Sequence, residues 1–381
     1  MSGDGRRRRD AKQARRDADR RRAREQASAV TEGDEETPLL GEVREALDAG
    51  HPLPLLGFAG VLILGTTPQP LQRPEEQSPS IGDLVAAFGE VRTEESTALL
   101  AALGELLIDD DEVRAACRRT VAARDDTLPR WLTALSDVQV YRAVRMTHVV
   151  GDGDELILGV RFADGHEMTC AASIDHLNGS AIGDAFFVPD SIETVLDVAR
   201  ANNTDPDTTF ADVDLADARA ALQQSLDQPV ITATGSETWP ASRALVRWMT
   251  RLMPAGGTDF LVRQWTVART AEFCDRFLRS PAGMPFDDPQ HRDLLVRCAQ
   301  AGTGDPTRWS EARLTRLLNA PLSVDDTVPA QARLDVPDML RAFVPFAHAE
   351  SGIRDELTAE ALAAIDGSAE QYRDSVLNRP R

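Results

Sequence analysis

Residues Val138–Val188 read VQVYRAVRMTHVVGDGDELILGVRFADGHEMTCAASIDHLNGSAIGDAFFV. This is the one long segment with strand character, and helical patterns flank it on both sides. Val138, Val140 and Arg142 share one parity; Gln139, Tyr141 and Ala143 share the other. Leu156, Leu158, Val160 and Phe162 then alternate with Ile157 and Arg161. β-branched and aromatic residues suit a pleated, half-buried surface. Gly151-Asp152-Gly153-Asp154 and Ala163-Asp164-Gly165 separate the runs, and two apolar runs joined by a short Asp/Gly turn signal a hairpin. The pattern predicts three antiparallel strands in meander order. Asp184–Val188, stopped by Pro189, is the candidate fourth. The acids at the first turn read as solvated turn residues, because the spacing is too short for a calcium loop.

Outward from the sheet, the apolar spacing turns helical. On the N-terminal side it predicts helices at Pro38–Ala49, Leu55–Leu64, Ile81–Val91, Glu94–Leu107 and Val113–Arg124, with a short one around Trp131. On the C-terminal side it predicts a helix from Pro189 to Ala201, a turn region at Asn202–Thr209, and helices at Leu215–Leu226 and Ala241–Met253. Thr266–Leu278, Asp288–Ala301, Ser310–Asn319 and Pro337–Ala349 follow. Leu357–Asp366 and Glu370–Val376 read as two separate closing helices. The fold class expected is α+β, helix-dominated, with a central three- or four-stranded antiparallel meander. The organisation is a basic arm and acidic hinge (1–36), an N-terminal helical region (37–136), the β meander (137–189) and a C-terminal helical region (190–381).

Charge is distributed unevenly over the 381 residues. The formal net charge is −20, yet residues 1–25 carry eleven basic and five acidic side chains. Arg6, Arg7, Arg8, Arg9, Arg15, Arg16, Arg20, Arg21 and Arg22 are the candidate nucleic-acid contacts, since guanidinium clusters displace counterions from phosphates. No aromatic is interleaved, so such binding would be non-specific to RNA or DNA. The plainer alternative is a solubilising tail, or a tether to the acidic body. Lys12 is the sole lysine, which excludes a lysine phosphate clamp, Schiff-base chemistry and pyridoxal chemistry in the body. Cys117, Cys170, Cys274 and Cys298 are far apart and form no C-x-x-C, which suits free thiols in a reducing cytoplasm. No signal peptide is read. The apolar run Leu53–Leu64 is shorter than the roughly 20 residues of a membrane span, so it reads as a buried helix and no membrane association is expected.

Motifs for chemistry are sparse. His166, Cys170 and His176 have the right side chains for zinc. On a strand, however, residues 166 and 170 lie about 13 Å apart, so no metal ligand is assigned. No Walker, dinucleotide or nucleophile-elbow motif is present, and Asn178-Gly179-Ser180 lacks the second glycine of G-x-S-x-G. No cofactor is expected. The strongest acid/base candidates are Asp175, His176 and Asp184, in a glycine-containing loop at the end of a strand. The competing reading is structural: Asp and Asn cap turns, and a loop histidine bonds a carbonyl. Trp239, Trp248, Trp265 and Trp309 read as core more readily than as a pocket.

Trp131-Leu132, His51–Ala59 (HPLPLLGFA), His148-Val149-Val150-Gly151-Asp152-Gly153 and Ile174-Asp175-His176 resemble a family of uncharacterised proteins from high-GC bacteria with arginine-rich starts. The resemblance would cover most of the chain and implies no activity, cofactor or site residue. The leading functional expectation is therefore a non-enzymatic interaction or adaptor protein, with nucleic acid or a protein as partner. The alternative is a hydrolase-like or small-ligand-binding protein using the Asp175–Asp184 loop.

Overall fold

The computed structural model describes residues 38–67, 79–228, 236, 238–258, 265–319 and 328–378. The arm with Arg6–Arg9, Arg15, Arg16 and Arg20–Arg22 lies outside the described residues, as does most of the proline-rich loop 66–80. Before the sheet come α1 (Pro38–Asp48), α2 (Pro52–Thr66), α3 (Ile81–Glu90), α4 (Glu94–Leu106), α5 (Asp111–Ala122) and the single turn α6 (Arg130–Thr133). Side-chain caps set several of their starts. Ser80 and Thr93 each close a capping box, and Asp110 accepts from the Val113 amide. Such caps satisfy amides that have no partner within the helix. Helix α2 is apolar on nearly every side and is packed accordingly. Leu55, Leu56 and Ala59 are fully buried, and a Cβ on Gly60 would sit 2.6 Å from the Ala241 carbonyl oxygen.

The sheet has five strands, not three or four: β1 (Gln139–His148), β2 (Gly153–Arg161), β3 (Glu167–Asp175), β4 (Ala181–Val188) and β5 (Thr208–Val213). Their order is β4-β3-β2-β1-β5, and each neighbouring pair is antiparallel. The first four strands form the expected meander. The fifth begins in the region read as a turn. It reaches the far edge because α7 (Ile192–Asn202) first crosses one face, seating Ile192 and Leu196 on Val144 and Ile157. Half-exposed β5 alternates only between half-buried and exposed positions and has no fully buried residue, so its signal in sequence is weak.

On β2 the alternation sorts the faces as read, and β3 follows the same alternation. Leu156, Leu158, Val160, Met168, Cys170, Ala172 and Ile174 point into the larger core. They pack there with the N-terminal helices, α8 (Leu215–Asp227) and α9 (Trp239–Leu252). A bulge between Val140 and Arg142 shifts the register of β1, so the shared parity of those two residues does not persist across the pair with β2. A bulge inserts one residue and re-aims those that follow.

A second core lies in the C-terminal helices: α10 (Val267–Leu278), α11 (Pro289–Gln300), α12 (Glu311–Asn319), α13 (Ala330–Leu334), α14 (Val336–Ser351) and α15 (Asp355–Leu377). Phe273, Phe277, Phe343 and Trp309 are its largest fully buried side chains. Edge-to-face contacts such as Phe277–Phe343, with centroids 5.0 Å apart, organise it. The two expected closing helices are one, running straight through Gly367. A helical glycine costs about 1 kcal/mol, which the burial of Ile365, Ser368 and Tyr372 on one stripe overcomes. Trp239, Trp248 and Trp309 are buried in the cores and Trp265 packs against the second, as the spacing suggests.

Gly159 marks the tightest seat of α7 on the sheet. A Cβ there would lie 2.8 Å from Ile192 Cγ2 and 2.9 Å from Tyr141. Gly159→Ala is expected to lose about 1–3 kcal/mol of stability in urea denaturation through overpacking. Adding Ile192→Ala should recover part of that loss, a non-additivity read from the double-mutant cycle.

Candidate functional site

The chemistry-bearing side chains gather where the β1–β2 turn meets the β3–β4 loop. Register explains why. Thr147, Asp154 and Ile174 lie opposite one another across three strands, so Asp154 occupies the last position on the face that carries the core. It is 8% exposed. The reading of the turn acids as solvated therefore fails for Asp154, whose strand position turns it inward. Gly153 permits the approach of β3, since a Cβ there would lie 2.7 Å from the Ile174 carbonyl oxygen.

A buried carboxylate needs partners, and Asp154 has them. Thr147 Oγ1 donates to Oδ1 at 2.5 Å. His176 Nε2 lies 3.3 Å from Oδ2, and Arg145 Nε is 3.7 Å from the same oxygen. Burial alone would raise the pKa of Asp154. Hydrogen bonds from His176 and Thr147, with the charge of Arg145 behind them, outweigh it and hold the carboxyl below the usual 3.8. On its other edge His176 places Nδ1 2.9 Å from Ser180 Oγ. An ionised Asp154 can only accept, so Nε2 carries the proton and Nδ1 accepts from the serine hydroxyl. The result is a chain Ser180–His176–Asp154. Ser180 has φ 62°, the one positive value outside glycine among the described residues.

Of the three residues singled out in the sequence, only His176 enters this chain. Asp175 caps the short 3-10 turn at His176–Asn178, accepting from the Asn178 amide at 3.1 Å and from its side-chain amide. Its carbonyl receives the Ser180 amide at 2.9 Å. Asp184 faces elsewhere. It accepts from Ser236 and Thr238 at the start of α9. Burial pushes its pKa up, but those bonds prevail and lower it. Asp154 and Ser180 escaped the sequence reading. The i, i+4 spacing of His176 and Ser180 was available, but the cross-strand position of Asp154 needs the register. His166, Cys170 and His176 do not converge either. His166 pairs with Asp164 at the opposite end of β3, and Cys170 is buried in the core.

The outer side of the same turn docks on the C-terminal helices. The Asp152 carbonyl receives the His176 amide at 2.8 Å, and Arg308 Nη1 donates to the Val149 carbonyl at 2.9 Å. Arg313, 2% exposed, stacks over Trp309 at 4.0 Å. It donates to the carbonyls of Ala299, Ala301, Arg308 and Asp305. Burial lowers its pKa to about 10, so it stays charged at neutral pH. Between turn and helices lies a cavity of about 550 Å³, lined by His148, Asp152, Glu311, Arg316 and Glu360 among others. Burial raises the pKa of Asp152, opposed by a hydrogen bond from Ser310 and by the charge of Arg313. Asp152 Oδ1 is buried and has no hydrogen-bond partner among the described residues.

His148 also approaches Asp205 and Asp207, with ligand-type atoms within 4.8 Å of one another. Their bonds make a clasp of this group. Nδ1 of His148 accepts from the Val150 amide at 3.3 Å, which leaves the proton on Nε2, 3.2 Å from Asp205. Arg354 Nε occupies Asp207 at 2.5 Å.

No protein-family model, curated protein or solved structure matches the chain. No helix among the described residues is long and apolar enough to cross a membrane.

Asp154 generates a pH test. Its folded pKa lies below the unfolded value, so its stabilising contribution is present above about pH 3.9 and lost as pH falls through the folded pKa. Asp154→Asn should destabilise the protein by about 1–3 kcal/mol at pH 7. The gap to wild type should close progressively below pH 4 in denaturant titrations.

Proposed function

We propose that this chain is a binding protein of the cytoplasm that takes a small amine-bearing molecule between the β1–β2 turn and the C-terminal helices. The observation that carries this reading is Asp152, whose Oδ1 is buried without a partner in a chain region that borders the cavity. An unpaired buried acceptor costs about 1–3 kcal/mol, which an incoming N–H donor would recover. The lining favours a cation, since the acids Asp152, Glu311 and Glu360 line it with Arg316 and His148, while Arg313 acts on Asp152 from behind. The cavity volume falls within the roughly 300–1,000 Å³ of small-molecule sites. The cytoplasm suits four free, buried cysteines.

Calorimetric titration with a diamine, and in parallel with a dicarboxylate of equal length, tests the ligand class. The diamine should bind and the dicarboxylate should not, and Asp152→Asn should weaken the diamine at least tenfold. Because the pKa of Asp152 is raised, amine affinity should increase as pH rises through it, and the variant should lose that dependence. Binding of the dicarboxylate alone would reverse the assignment.

The arm supports a second contact. Its arginines are proposed to hold RNA or DNA non-specifically, with the charge density of Arg6–Arg9 as support. Full-length protein should bind with a steep negative salt slope, and a chain beginning at Thr37 should not bind. Equal binding by both would remove the arm from the account.

A further inference from the structure

We propose that Ser180 is an acyl-accepting nucleophile activated by His176, and that the loop hydrolyses small, unhindered esters. This goes beyond amine binding in the cavity and stands independently of it. Three observations carry it together. First, Ser180 Oγ lies 2.9 Å from His176 Nδ1, within reach for proton transfer. Second, the other imidazole nitrogen lies 3.3 Å from a buried carboxylate that has its own support from Thr147 and Arg145. A nucleophile, a base and a group orienting the base therefore stand in sequence. Third, Ser180 holds φ 62°. A left-handed conformation costs a residue with a Cβ roughly 1–2 kcal/mol. Glycine would avoid that cost, as it does next door at Gly179 with φ 72°. Strain of this kind clusters at functional sites.

Both imidazole nitrogens are competent bases when the other bears the proton. The serine here faces Nδ1, the reverse of the familiar Ser-His-Asp arrangement, in which it faces Nε2. In the proposed step Ser180 Oγ attacks the ester carbonyl carbon while its proton passes to His176 Nδ1. The carbon–alkoxy bond breaks, and the departing alcohol takes that proton. Water then attacks the acyl-serine, again giving its proton to Nδ1. The carboxylic acid leaves and the hydroxyl is restored. Asp154 is a positioning residue: it fixes the tautomer and stabilises the imidazolium without taking the proton. Ser180 is partly exposed and Gly179 exposed, so the nucleophile opens to solvent at a loop tip. That placement suits short acyl groups on good leaving groups.

The test uses full-length protein with a fluorophosphonate probe, followed by peptide mass spectrometry, and p-nitrophenyl acetate turnover in parallel. The adduct is expected on Ser180. Ser180→Gly should fold with a Tm at or above wild type, because it relieves the left-handed serine, and should lose labelling completely. His176→Gln should slow labelling at least a hundredfold, the scale of general-base assistance. Asp154→Asn should slow it tenfold or more and alter the pH profile of labelling, which a merely structural role would leave unchanged. Absence of any adduct on Ser180 in folded wild-type protein between pH 6 and 9 overturns the proposal. So does undiminished ester turnover by Ser180→Gly.

Discussion

The carboxylate of Asp154 is the constraint on which this end of the molecule depends. It sits at the last inward position of a strand whose other inward residues are leucine and valine. Placing a charge there is unfavourable unless every lone pair is used. Hydrogen bonds with Thr147 and His176 and the nearby charge of Arg145 meet that need, and each therefore has its place fixed. His176 in turn fixes Ser180. The same loop donates its His176 amide to the Asp152 carbonyl, which closes the β1–β2 turn against the β3–β4 connection. One buried charge thus determines a tautomer, a loop conformation and the aim of a hairpin tip.

That tip is where the two cores meet. The larger core joins the sheet to the N-terminal helices, α8 and α9, and the smaller belongs to the C-terminal helices. Several of the bonds joining them are polar and local: Arg308 to the Val149 carbonyl, and Arg354 to Asp207. Arg313 stiffens the receiving side by gathering four backbone carbonyls around a guanidinium that stacks on Trp309. Polar contacts at discrete points do not fill space as side chains in a core do, and the cavity beside Asp152 is what they leave.

Features encoded locally were legible in the sequence. The hairpins follow from alternation and Asp/Gly turns, and most helices follow from 3.6-residue spacing with Ser, Thr or Asp at the start. Features that depend on long-range register were not. The edge strand Thr208–Val213 pairs with β1 across a crossover, and its alternation runs only between half-buried and exposed positions. Asp154 looked like one more turn acid until the strand pairing placed it opposite Thr147 and Ile174. Asp175 and Asp184 looked like partners of His176 because they are close in sequence. Yet a turn cap holds the first, and hydroxyls at the start of α9 claim the second. Arg313 sits in an ordinary amphipathic pattern, and nothing local marks it as buried.

The central claim is that a buried, ionised Asp154 holds His176 in a single tautomer, and nitrogen NMR of the histidine side chains tests it most directly. Spectra of ¹⁵N-labelled protein at neutral pH, with His176 assigned by its Gln variant, report the state of each ring nitrogen. The account predicts a protonated Nε2 and an unprotonated Nδ1 that accepts a hydrogen bond. A proton on Nδ1, or averaged signals from exchanging tautomers, would contradict it. In either case the carboxylate would not be holding the ring.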